Sequence, residues 1–128
     1  MQMRKTTRAV RVLRTEQDIA ELEKTPYREL VTSRNIYEVF ETNALLHGDR
    51  PALTLLRSGD PQDVGATYTY RELLAEITRA ANMFHTLGIR RRSVVSVLAR
   101  THARVPALIW GAETAGIASC INYLLAPE

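Results

Sequence analysis

The side chains best equipped for chemistry in this 128-residue chain are three histidines, one cysteine and a run of three arginines at 90–92. His47, His85 and His102 stand apart, with no pair at ligand spacing, and neither CxxC nor HExxH occurs. Metal chemistry therefore has no support. His85 follows Phe84 on an amphipathic stretch and reads as a solvent-edge residue. Cys120 lies in an apolar run without an adjacent cation, which predicts a buried, inert packing thiol. Arg90, Arg91 and Arg92 can meet a phosphate at a partner surface, but their position between a helix and a strand favours a solvated loop. No GxSxG elbow positions a nucleophilic serine. Neither a Walker loop nor GxGxxG is present; Gly111 and Gly116 are too far apart to cradle a phosphate, and the second closes a helix. The sequence thus assigns no catalytic, cofactor-binding or metal-binding residue.

The elements that would position any such group are more legible. Thr15 with Asp18 resembles a helix cap and acidic first turn, and Thr25-Pro26 resembles a second cap with proline at the first helical position. Ile19 and Leu22 are the expected anchors of that region. In "NIYEVFETNALLHGDRP", Asn35 can cap, Glu38 takes the third helical position, and Ile36, Val39, Phe40 and Ala44 share a face. Gly48 and Pro51 oppose continuation. "ALTLL" and "ATYTY" then read as two short strands around the loop "RSGDPQDVG", suited to a hairpin.

The clearest helix is "TYTYRELLAEITRAANMFHTLG". Thr69 and Glu72 form a capping box, in which each side chain satisfies the other's exposed N–H. Tyr70, Leu73, Leu74, Ile77, Ala80, Ala81, Phe84 and Leu87 trace one apolar stripe, and Gly88 supplies the left-handed stop. The small pair Ala80-Ala81 allows close approach to a neighbour. "SVVSVLAR" follows as a β-branched strand. A second helix has Val105, Leu108, Ile109, Ala112 and Ala115 on its stripe, with Trp110 and Glu113 off centre and Pro106 in the first turn. Gly116 stops it, and "GIASCINYLL" is an apolar strand.

Strand, helix and strand within about 30 residues is a βαβ unit, with parallel strands and a right-handed crossover. The run "VVSVL" lacks alternation and suits a strand covered on both faces. The expected fold is α/β, a partial layered sheet with a βαβ unit and the capped helix packed on a face of that sheet. A membrane span over 105–125 is disfavoured by Glu113, Asn122 and the glycine punctuation.

Composition adds limits. The chain is 45% apolar and 24% charged, ordinary for a folded soluble protein. Five of its seventeen basic residues fall in the acid-free first fourteen positions, leaving twelve against all fourteen acids in the body. A basic arm on a near-neutral body is not the footprint of a nucleic-acid-binding domain. The arm is compatible with a mitochondrial-type leader or with a solvated terminus, and it lacks the apolar stretch of a secretory signal. A single cysteine cannot form an internal disulfide, so a reducing, cytoplasmic setting is expected.

Taken in order, "GDRPAL", "YTYRELLAEITRAANMFHTLGI", "SVVSVLAR" and "ALIWGAETAGIASCINYLLAPE" resemble the N-terminal region of the adenylate-forming acyl-CoA synthetases, the AMP-binding ligase superfamily. Thr69, Tyr70, Leu73, Gly88, Val94, Val95, Ala115, Gly116 and Asn122 stand where that family's pattern places them. The sequence departs from the pattern at Arg91-Arg92-Ser93, at Ala99-Arg100 and at Cys120 and Tyr123, positions that touch loops more than core. The resemblance spans roughly 35–128 and implies the incomplete N-terminal part of an AMP-binding domain there, while residues 1–34, a basic arm and short helices, add little to it.

The resemblance also implies activity for a whole family member. A carboxylate attacks ATP to give an acyl-adenylate, and the coenzyme A thiol then displaces AMP. ATP, Mg²⁺ and coenzyme A are cofactors implied for that full-length family, none of them held by this chain. The phosphate loop and catalytic lysine of the family have no matching positions here, so no site residue is carried over. The leading expectation is an inactive N-terminal fragment of a fatty-acid-metabolism ligase whose partner is the remainder of the synthetase. A small non-catalytic module pairing through a sheet edge, with self-association through such edges, is the alternative. A nucleotide-binding domain of another α/β family is a third, for which the missing glycine loop is the obstacle.

Overall fold

Helix α1 (Glu16–Glu23) begins where Thr15 and Asp18 satisfy each other's backbone. The Asp18 N–H donates to Thr15 Oγ1 at 3.2 Å and the Thr15 N–H donates to Asp18 Oδ2 at 2.9 Å. The computed structural model describes residues 13–122 and Leu124. The chain divides into two units, Met1–Thr32 and Ser33–Glu128. In the first unit, α2 (Tyr27–Leu30) is a single turn. Its N-cap is Pro26 itself, with no side-chain cap bond, so the expected cap is one residue out and Thr25 does not serve as it. Ile19 is 47% exposed and Leu22 half-buried, so neither is the buried anchor expected of it. An eight-residue helix with no buried residue cannot draw much stability from packing.

The second unit opens with α3 (Ile36–His47), where Asn35 Oδ1 accepts from the Glu38 N–H at 2.9 Å. Gly48 ends α3 in a helical conformation (φ −44°), so the residue is required by space and not by a left-handed turn. A Cβ there would lie 2.7 Å from the Ala44 carbonyl oxygen and 2.7 Å from Arg71 Nη2. Strands β1 (Pro51–Leu56) and β2 (Val64–Thr69) form the expected antiparallel hairpin, pairing Leu53 with Tyr68 and Leu55 with Ala66.

Helix α4 (Tyr70–Thr86) follows without a linker. Its capping box is complete: the Glu72 N–H donates to Thr69 Oγ1 at 3.3 Å and the Thr69 N–H to Glu72 Oε2 at 2.9 Å. At the other end Gly88 adopts φ +85°, and the Gly88 and Ile89 N–H groups close the last turn onto the His85 and Phe84 carbonyls. Leu73, Ile77, Ala80 and Ala81 are buried, whereas Leu87 is 70% exposed.

Strand β3 (Val94–Val97), helix α5 (Val105–Ala115) and strand β4 (Ile117–Cys120) make the βαβ unit, with β3 and β4 parallel and Val94 opposite Ile117. Pro106 sits in the first turn of α5 as expected. The core gathers Leu73, Ile77 and Ala107, with Tyr37, Phe40, Leu53, Tyr68 and Trp110 around them. Phe40 and Trp110 stack obliquely, centroids 4.6 Å apart, and Tyr37 Oη hydrogen-bonds Thr78 Oγ1 at 2.9 Å.

Three expectations are corrected by this packing. Helix α4 lies chiefly against α5, with α3 and the hairpin as further neighbours, and not against a face of the β3–β4 sheet. The buried side of α5 is Ala107, Gly111, Ala112 and Ala115. Trp110 joins it at the core, while Val105, Leu108 and Ile109 are half-buried. The reason is steric. A Cβ on Gly111 would lie 2.5 Å from Ala80 Cβ, so the two helices cross where both are smallest, and that contact fixes the rotation of α5. Finally, β3 is not covered on both faces: Val94 and Leu98 are 58% and 64% exposed, whereas Val95 and Val97 are half-buried.

Candidate functional site

The sequence singles out few chemical side chains, and the structure does not bring them together. Among the described residues no three His, Cys, Asp or Glu side chains converge as metal ligands. His47 lies near the Tyr70 ring, centroids 6.3 Å apart, and His85 is exposed. Arg90 turns back on the end of α4, where Nη1 donates to the His85 carbonyl at 2.9 Å and the Ile89 carbonyl at 2.8 Å. A cation on the last carbonyls of a helix complements its dipole. Arg91 and Arg92 are exposed beside it.

Gly111 and Gly116 do not wait for a ligand, because protein already fills the space a Cβ would take. At Gly111 the neighbours are Ala80 and Ala81; at Gly116 they are the Ser93 and Arg90 carbonyl oxygens, at 2.6 and 2.9 Å. These glycines serve close backbone approach. The residues present therefore do not fit a nucleotide-phosphate cradle.

Cys120 overturns its expectation. It is exposed, because among the described residues β4 has β3 as its one strand neighbour and Cys120 is the last paired residue of β4, opposite Val97. The Glu72 carboxyl is shifted from its ordinary value. The Thr69 backbone N–H, and then the Thr69 hydroxyl, hold its carboxyl below the ordinary carboxylate value, opposed by a small burial effect. That is cap chemistry, which fixes the start of α4.

What the β3–β4 sheet presents is an apolar face. In a parallel pair, Val94 and Ile117 share a side, and the alternation carries the Ser96–Ser119 pair and then Leu98 and Ile121 to the same side, so two serines stand between the apolar pairs. The Ile121 N–H donates to the Val97 carbonyl at 3.0 Å, which extends the ladder that far. Val94, Ile117, Leu98 and Ile121 are 58%, 49%, 64% and 47% exposed. Clustered exposure of this kind marks a contact surface more than isolated apolar residues would.

Grooves indent the second unit among its described residues. One of about 280 Å³ runs between α4 and α5 past Met83 and Leu108. A second, about 390 Å³, is rimmed by Glu38, Glu41 and Glu113. A third, about 330 Å³, lies between β1 and the loop leaving β3. No helix among the described residues is long and apolar enough to cross a membrane.

Comparison with known proteins gives a consistent answer. A family profile described as AMP-binding enzyme matches residues 40–128. Over 109 residues the chain is 31% identical to the marinolic acid–CoA ligase of Pseudoalteromonas sp. strain SANK 73390, covering 85% of this chain and 17% of that protein. It is 32% identical over 87 residues to surfactin synthase subunit 1 of Bacillus subtilis, covering 68% of this chain and 2% of that one. Among solved structures, a fatty acyl CoA synthetase of Mycobacterium tuberculosis superposes with a TM-score of 0.60 at 26% identity. That match covers 72% of this chain and 17% of the synthetase. The chain thus spans a small part of the length of each relative.

Proposed function

This chain belongs to the AMP-binding enzyme family, and from that premise we propose that it is the N-terminal scaffold of an acyl-CoA synthetase. The whole enzyme would activate a carboxylic acid with ATP and Mg²⁺ to an acyl-adenylate and pass the acyl group to coenzyme A, in the cytoplasm and in fatty-acid metabolism. This chain's part in that reaction is architectural. What supports this is that the space beside Gly111 and Gly116 is filled by protein and not open to a phosphate.

The observation that carries the reading is the open apolar face of the β3–β4 sheet. Val94, Leu98, Ile117 and Ile121 remain about half or more exposed on one side of a βαβ unit. Burying each would contribute on the order of 1 kcal/mol. We take the remainder of the synthetase as the partner that covers them.

The test is carboxylate-dependent ATP–pyrophosphate exchange. The 128-residue chain alone is expected to show none, and a polypeptide that continues this sequence through a phosphate loop is expected to show it. Full exchange by the isolated chain refutes the reading. So does a continued polypeptide with Val94→Lys and Ile117→Lys that folds and exchanges at the unaltered rate.

A second reading has its own observation. Among the described residues each sheet has two strands, so every strand presents an edge able to pair with another chain. A non-catalytic module binding through such an edge would be a stable, soluble monomer when alone. Sedimentation separates the two, because a scaffold lacking its cover is expected to self-associate.

A further inference from the structure

The groove beside β1 has features that the scaffold role does not use. It opens at the carboxyl end of β3, the end at which ligands settle in open α/β sheets. Its walls are apolar, from Leu53 and Leu55 on β1 and from Val105 and Pro106 at the start of α5. Arg100, Thr101 and His102 are the polar side chains lining it, and no Asp or Glu is among its lining residues. At about 330 Å³ it has the size of a small-molecule site, which run from roughly 300 Å³ upward.

His102 gives the rim a definite polarity. The Arg104 backbone N–H donates to His102 Nδ1 at 3.2 Å. A backbone N–H can only donate, so Nδ1 is the acceptor and the proton of the neutral ring sits on Nε2. The edge remaining to the imidazole is therefore a donor. Arg100 is exposed and bears five donors and no acceptor. A rim of donors over an apolar floor is complementary to one kind of molecule, an anionic head on a short hydrocarbon stem.

We infer that the groove between β1 and the 99–106 loop binds a small amphipathic anion, with its carboxylate or phosphate head on Arg100 and His102 and its stem on Leu53, Leu55 and Pro106. The inference is independent of the synthetase reading, because it uses only groups this chain contains and involves no adenylate chemistry.

Titration of the 128-residue chain with octanoate, octyl phosphate, octylammonium and acetate, followed through the backbone amide resonances of residues 99–105, tests it. Saturable binding of octanoate or octyl phosphate at these amides is expected, and whichever binds identifies the head. Octylammonium should not bind there, and acetate, lacking the stem, should bind far more weakly. Arg100→Gln, an exposed change that leaves the fold intact, should weaken the anion by about tenfold, the loss expected for one charge-assisted hydrogen bond. Binding of neither eight-carbon anion overturns the proposal. So does equal binding of octylammonium, or an unchanged affinity in Arg100→Gln.

Discussion

Gly111→Ala is the most informative single change in this chain, because two effects of known sign oppose each other at one atom. Alanine in place of glycine in the middle of α5 improves helix propensity by about 1 kcal/mol. The added Cβ, however, would lie 2.5 Å from Ala80 Cβ, 3.0 Å from the Ala81 nitrogen and 3.1 Å from the Ala80 carbonyl carbon. Two of those three atoms are backbone and cannot rotate away, so α4 and α5 must separate. Separation also loosens Ile77, which is fully buried nearby on α4. Overpacking of a tight core costs roughly 1–3 kcal/mol and more where the backbone must shift. The steric effect wins, for a net loss of about 1–2 kcal/mol once propensity is subtracted. In a domain of this size each kcal/mol lowers the thermal midpoint by roughly 4–8 °C. Circular dichroism at 222 nm measures that midpoint directly. A second arm makes the test specific: Ala80→Gly, itself destabilising through propensity, removes the nearest clashing atom. The double variant should therefore be more stable than the two single losses added together, by about 1 kcal/mol. Gly59→Ala is the control, since nothing lies within 4 Å of its added Cβ. A Gly111→Ala protein as stable as the parent, or a double variant with simple additivity, refutes the close crossing of α4 and α5.

Thr69→Ala should remove the α4 cap and cost about 1 kcal/mol in denaturant titrations. The Glu72 carboxyl, held low by the Thr69 N–H and hydroxyl, has a definite pH consequence. A carboxyl with a depressed folded pKa adds stability that is fully present above the unfolded value of 4.5 and is lost as pH falls through the folded value. Midpoints measured from pH 7 down to 2 should then fall less steeply in Glu72→Gln than in the parent, and equal slopes would contradict the capping box. Cys120, exposed at the end of β4, should react with a thiol reagent in the native chain at a rate close to that of the unfolded chain; strong protection would place it in a core instead. Arg90→Ala should fray the last turn of α4, seen as faster amide exchange at Leu87 to Ile89 with little change in global stability.

Legibility in this chain follows the range of the interaction that decides each feature. The caps at Thr15, Asn35 and Thr69 and the left-handed Gly88 depend on groups within four residues, and the sequence shows all of them. The hairpin and the parallel βαβ pair follow from turn composition and connection length, and they too are as read. Apart from the Thr25 cap, which falls one residue later at Pro26, the failures come where a partner from elsewhere in the chain decides. The stripe of α5 read from hydropathy takes in Ala112 and Ala115, which are buried as read, but also Val105, Leu108 and Ile109, because a periodicity counts apolar mass. The structure turns the small residues inward, because what α4 offers opposite them is Ala80 and Ala81, and two backbones can approach only where side chains are short. Trp110 then reaches the core from the flank and meets Phe40, a contact across seventy positions that no local window contains. Ile19 fails for the opposite reason: a short apolar spacing implies an anchor only if something exists to receive it.

The same logic separates the readable family from the unreadable site. Family likeness is carried by ordered local signals, the cap, the stop, the valine-rich strand and the helix-closing glycine, and residues 40–128 hold enough of them to match. An active centre is a convergence of side chains from distant segments, and among the described residues His47, His85, Cys120 and Arg90 to Arg92 are not brought to one place. The glycines that might have suggested a phosphate loop are instead filled by protein, Gly111 by α4 and Gly116 by the Ser93 and Arg90 carbonyls. A signal for that was present in the sequence: Ala80-Ala81 on one helix and Gly111-Ala112 on the next are two small pairs that can sit face to face. Two such pairs let α4 and α5 cross closely, which is why glycine is needed at that point of α5 and a ligand is not.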